Sequence, residues 1–249
     1  MAHIESADYE TFNVRCDHCS VNTLVNRVTD LKPLALPDFF MDCPACNKSF
    51  WVTGGVINSP YELFIFDSDR HFEDKRYMLS VASLALAWEL FFVTFAQTVY
   101  LDRPFFRSSC ENQDLEEARL ATLFEKAISK FTFNPLRNLM INTIVRQVEP
   151  NDLQDAGAAI ARLAKEGFGN EVSPSLILDL QDNEVRNLLL GLQGLGVGDL
   201  RNRALHRRAY RPNKEEAKAC RREIDLLYQL DRKFDVNEFP ALGPLSVRE

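Results

Sequence analysis

The stretch Tyr77–Leu101 constrains this chain most. It runs for 25 residues and its only charged side chain is Glu89. An apolar run of that length can cross a bilayer as a helix. A carboxylate at its middle is costly in lipid, however, and no basic flank orients it. Nothing else in the chain is membrane-like, so the expectation is no membrane association. The run reads as the central helix of a bundle, covered nearly all round by its neighbours. A carboxylate in that position calls for a partner. An arginine such as Arg201 would serve; the other reading has Glu89 facing solvent at the bundle edge.

The rest of the composition is compatible with such a bundle. A chain of 249 residues implies one or two domains, and 46% hydrophobic with 26% charged residues suits a protein that buries a real core. The formal net charge of −7 argues against a non-specific nucleic-acid binder, which carries an excess of Lys and Arg. A local basic patch is still possible. Arg201, Arg203, Arg207, Arg208 and Arg211 crowd together, and such a patch on an acidic body would hold RNA at one place and repel it elsewhere. Met1–Glu10 is polar and acidic and lacks a signal-peptide pattern. The expected compartment is therefore the reducing cytoplasm, where paired cysteines hold metal rather than disulfides.

Four of the six cysteines form two CxxC pairs, Cys16-Asp17-His18-Cys19 and Cys43-Pro44-Ala45-Cys46. Two such turns supply the four thiolates of a closed tetrahedral zinc site. Short β-like runs adjoin them, Phe12–Val14 before the first and Ser49–Thr53 after the second, with a Gly54-Gly55 turn. This reads as a zinc ribbon over residues 1–57, its metal structural because no coordination position stays open. No thioredoxin-like pattern surrounds either pair, which disfavours redox use. His18 is read as an exposed spacer. Phe39, Phe40, Phe50 and Trp51 are read as the ribbon's small core, although aromatics there could also stack on bases.

Residues 58–75 read as a connector, with Tyr61–Phe66 as one last short strand. A helical domain over 76–249 follows. Arg103–Asp114 is expected to be a loop holding Pro104 and Cys110. Leu115–Phe131 repeats apolar residues at helical spacing. Further helices are expected from Asn134-Pro135 to Gln147, over Leu153–Glu166, and from Ser173-Pro174 to about Leu192. Gly167 and Gly169 end the second of these. Gly194, Gly196 and Gly198 then loosen the chain and allow close approach to a ligand. Asn213 caps a last long helix, Lys214 to about Phe234, and the tail from Asp235 reads as irregular. No internal repeat or low-complexity segment is visible.

The chemistry is expected between Gly198 and Pro212. Asn202 and His206 are four apart and share a helix face, which Tyr210 extends by a turn. Arg201 falls elsewhere on the wheel, yet its long guanidinium can swing toward a phosphate held over the imidazole. An imidazole moves protons near neutral pH and a permanently charged fork offsets charge building on phosphorus. Those are the groups that cleavage of RNA by its own 2′-hydroxyl requires, and no metal is needed. A nucleotide triphosphatase is excluded by the absence of a Walker lysine and of a preceding strand.

Arg201-Asn202-x-x-x-His206, with the basic run, the proline and the charged amphipathic helix after it, resembles the RxxxxH signature of the HEPN superfamily. That resemblance implies a mainly α fold, a HEPN-like helical bundle here joined to a small amino-terminal β zinc ribbon. It implies a metal-independent endoribonuclease whose two motifs meet in a homodimer to form one composite site. Arg201, Asn202 and His206 are then the catalytic residues, with Arg203, Arg207 and Tyr210 contacting substrate. Some members place a tyrosine two residues after the histidine; here that position is Arg208, so that role does not pass to Tyr210. The family's company suggests a toxin or antiphage defence effector, with an antitoxin or regulatory protein as a partner. The superfamily also has catalytically dead members, so the alternative is a non-catalytic module binding RNA, a nucleotide or a protein.

Overall fold

The structure, a computed structural model, describes residues 11–26, 39–52, 60–108, 113–166, 171–204 and 210–236. His206, Arg207 and Arg208 lie outside the described residues, as do Cys110, the Gly54-Gly55 turn, Gly167, Gly169 and the tail beyond Val236. The architecture is mainly α with a small β region at the amino end, as expected.

The β region is two hairpins. Strand β1 (Thr11–Arg15) pairs antiparallel with β2 (Asn22–Asn26), and β3 (Phe39–Asp42) pairs with β4 (Ser49–Val52). Strands β2 and β3 were not anticipated, because neither stands beside an alternating run long enough to read. The hairpins share one plan, a short repeat invisible as sequence identity. Each turn is a CxxC, and the residue after it, Ser20 or Asn47, takes a left-handed conformation with φ of 59° or 54°. The amides of Cys16 and Cys43 donate to the carbonyls of Val21 and Lys48, both at 3.0 Å. Val14, Cys16, Cys43 and Phe50 form a small core of their own. Phe50 is therefore core as expected, whereas Phe40 is 68% exposed and is not.

The helical region begins earlier than expected. Residues read as a connector and a strand form helix α1 (Pro60–Glu73). Tyr61, Ile65 and Ser68 are buried at helical spacing, and that face lies against the next helix. The apolar run is α2 (Tyr77–Gln97), continued without interruption by a π turn (Thr98–Asp102) and by α3 (Arg103–Arg107). So the expected loop at Arg103 is helical at its start. Together Tyr77–Arg107 would be long and apolar enough to cross a membrane, and over half of its apolar stretch is buried within the protein. Trp88, Phe91, Phe92 and Phe95 of α2 form an aromatic spine, with Trp88 and Phe91 edge to face at 5.8 Å.

Around this axis lie α4 (Gln113–Ile128), α5 (Phe133–Arg146), α6 (Leu153–Glu166), α7 (Pro174–Leu178) and α8 (Asn183–Gln193). The expected single helix over Ser173–Leu192 is two. Asp182 accepts hydrogen bonds from the amides of Glu184 and Val185, at 2.9 and 3.1 Å, and so restarts the helix after a bend. Then come α9 (Val197–Asn202), α10 (Lys214–Arg221) and α11 (Ile224–Phe234). The expected last long helix is broken at Arg222-Glu223. The physical reason is tertiary: the Glu223 carboxylate accepts from the amides of Gly196 and Val197, at 2.8 and 3.3 Å, tying α9 to the break. The far end of α11 is gripped by the π turn, where Thr98 Oγ1 donates to the Val236 carbonyl at 3.0 Å.

Candidate functional site

Helix α9 is set by packing. A Cβ on Gly198 would come 2.7 Å from the Phe133 ring, so the glycine lets the α9 backbone lie directly on α5. The glycine that seemed to make room for a ligand makes room for a core phenylalanine. With the amino end of α9 held by Glu223 and its middle by Phe133, Arg201 projects toward α2. Its Nη1 lies 3.6 Å from Glu89 Oε1, the two side chains being only 19% and 18% exposed. Glu89 thus has the partner that its place in the apolar run calls for. The Asn202 side-chain oxygen accepts from the same Nη1 at 3.5 Å. A carboxylate and an amide on the guanidinium restrict its rotation, so the charge is held in one place at the edge of the central helix.

The residues beyond do not continue one straight helical face. Arg203 and Ala204 form a π-type turn, and Tyr210 lies in irregular chain just before Asn213, the cap of α10. The predicted stripe of Asn202, His206 and Tyr210 along one helix is corrected accordingly at Tyr210. That residue belongs to a different cluster. Its hydroxyl donates to Glu216 Oε1 at 2.7 Å, and the Arg203 guanidinium sits over its ring at 5.0 Å and 3.8 Å from Glu216. The hydrogen bond to Glu216 holds the phenol above its usual range, and the Asn213 amide, with that phenol, holds the Glu216 carboxyl below its own. Glu216 also completes a capping box with Asn213. Sequence reasoning missed Glu216, although Asn213-x-x-Glu216 is the spacing that signals such a box. Arg201, Asn202, Arg203 and Tyr210 therefore bracket the stretch containing His206 and Arg207, which lies outside the described residues.

The cysteines are brought together fully. The sulfurs of Cys16, Cys19, Cys43 and Cys46 all lie within 4.8 Å of one another. Two of the edges are 3.8 Å (Cys16–Cys46) and 3.6 Å (Cys19–Cys43). Four thiolates at a zinc–sulfur bond length have edges of about 3.8 Å, so the donor set fits a tetrahedral ion. The His18 amide donates to Cys16 Sγ at 3.4 Å, while its ring lies 3.0 Å from the Ser49 carbonyl and outside the sulfur cluster, a spacer as expected. Burial opposes ionisation of Cys43, but the amides of Cys46 and Ala45 outweigh it and bring that thiol to about 7. For Cys19 the Val21 amide favours the thiolate, yet burial and the neighbouring sulfurs prevail and push it up to about 12. Crowded thiols cannot all be anionic without a cation among them.

No family model, no curated protein and no solved structure matches this chain.

Proposed function

We propose that the chain is a metal-independent endoribonuclease of the HEPN kind that cleaves RNA at a composite site in a homodimer. The observation that carries the proposal is the Arg201 guanidinium held by Glu89 and Asn202 at the start of the basic segment that includes His206. In the reaction, His206 takes the proton from a 2′-hydroxyl while that oxygen attacks phosphorus. The bond from phosphorus to the 5′-oxygen breaks, and the imidazole of the second motif returns a proton to the leaving oxygen. Arg201 neutralises charge on the phosphorane-like transition state and Asn202 holds Arg201 or a phosphate oxygen. Arg203, Arg207 and Tyr210 position the strand. The products are a 2′,3′-cyclic phosphate and a 5′-hydroxyl, and DNA, lacking the nucleophile, is not cut. Zinc in the four-cysteine cluster holds the two hairpins together and takes no part in the chemistry. The setting is a reducing cytoplasm, with a toxin or defence role under a regulatory partner.

The test is cleavage of single-stranded RNA by purified protein in EDTA, with the ends mapped. Expected is activity in EDTA, cyclic phosphate ends, and a loss of about 100-fold or more in His206→Ala. Activity that needs added metal yet survives His206→Ala would falsify the mechanism.

One observation favours a second reading, a non-catalytic binding module. Arg203 and Tyr210 are already engaged with Glu216, as in a structural cluster. An inert wild-type protein that still retards RNA on a gel would select it.

A further inference from the structure

The central helix does not bury its apolar surface all round. Along α2, Leu79, Ala82, Leu86, Glu89, Leu90 and Val93 are among the side chains left partly or largely open, and Leu79 and Leu86 are 39% and 38% exposed. They recur at spacings of three and four residues, so they line one face, opposite the face carrying the aromatic spine. The spacing is that of a coiled-coil seam, with Glu89 as its one charged position. From Leu79 to Val93 the seam is about 21 Å long at the helical rise.

We propose that this seam is the contact between two copies of the chain, α2 crossing α2 of the second copy in antiparallel fashion near Leu86 and Glu89. The argument for a second copy is charge. Glu89 and Arg201 stand side by side in the seam, 3.6 Å apart. A twofold axis close to them sets each acid toward the other copy's guanidinium, so the patch is complementary to itself. An unrelated apolar partner would take that partly buried pair wholly out of water without compensation. A single charged position within an apolar seam also selects orientation and register. Arg211, whose Nη1 is 3.2 Å from Met78 Sδ, stands beside the same helix and gives the assembled face a basic border.

This deepens the composite-site reading, resting on it only for the consequence that two Arg201 segments meet. The experiment is sedimentation of the full chain with its metal, wild type beside Leu86→Arg. Leu123→Arg, on an α4 position 41% exposed and off the seam, is the control. Expected are a dimeric wild type and control, and a dissociation constant raised by about 100-fold or more in Leu86→Arg. Because Leu86 is already open in the single chain, helical circular dichroism and the bound metal should not change. A wild type that stays monomeric overturns the proposal, as does a Leu86→Arg protein that still dimerises. Partition of a monomeric wild type into phosphatidylcholine vesicles would give the seam to lipid instead. RNA cleavage measured alongside separates the two readings: a dimer broken at Leu86 but inert as wild type sinks the enzyme alone, and a wild-type dimer that cleaves RNA and stays dimeric in Leu86→Arg sinks the seam alone.

Discussion

Asp102 shows how a single residue is governed by what surrounds it. It closes the π turn, is 2% exposed, and its carboxyl is pushed from 3.8 to about 6 by burial, partly offset by the Gln97 side chain. A raised acid binds its proton more tightly in the folded chain than in the unfolded one. Stability from this group is therefore full at low pH and is lost as pH rises from about 4 to about 6. Asp102→Asn should remove that slope and raise stability above pH 7 by up to about 3 kcal/mol, the equivalent of the shift. Urea unfolding at pH 5 and pH 8 reads it directly, and an unchanged slope in the variant would refute the assignment. Nothing in the sequence around Asp102 distinguishes it from an exposed aspartate. Glu89, by contrast, was half legible: an isolated charge in an apolar helix calls for a partner, but a place at the bundle edge facing solvent suited the sequence equally.

Elements were legible where one face of a helix carries its own pattern. Helices α4, α5 and α6 lie close to where periodicity and caps put them, and α6 spans the expected residues. The errors are breaks and extensions. Helix α1 reads as a connector in the sequence, since its charged outer face hides the Tyr61, Ile65 and Ser68 stripe. The break at Glu223 comes from the amides of Gly196 and Val197, far along the chain, whereas the one at Asp182 is a local cap that the apolar periodicity on either side obscures. Helix α9 is the clearest case. Six residues cannot hold a helix unaided, and its position depends on Gly198 against Phe133. Gly198→Ala should cost about 1–3 kcal/mol through overpacking and displace Arg201 from Glu89. The checks are the unfolding midpoint and, in the same variant, RNA cleavage. Equal stability would mean that the Phe133 ring yields without strain.

The ribbon and the bundle have separate hydrophobic cores, one of a few side chains around the sulfurs and one of dozens. A four-residue core does not stabilise two hairpins, and an ion held by the four sulfurs would supply what it lacks. Stripping the metal with a mercurial and a chelator should release one zinc per chain and unfold the ribbon. The bundle should keep its helical circular dichroism, because among the described residues none of its core side chains lies between Thr11 and Val52. Metal analysis with proteolysis of the stripped protein checks this. Cleavage first within the bundle, or loss of helical signal, would show that the two cores depend on one another.

The sequence by itself determined the mainly α class and the four cysteines able to hold a metal, and it posed the choice at Glu89 between a partner and solvent. All three follow from local chemistry: apolar length, thiol spacing, and the cost of an isolated charge. Only the tertiary structure decided that Arg201 is that partner, that Tyr210 answers to Glu216, and that one face of the central helix stays open. The first and last depend on which distant elements meet, and the ion pair between Glu89 and Arg201, over a hundred positions apart, leaves no local trace; the second depends on how the chain turns between Tyr210 and the cap of α10.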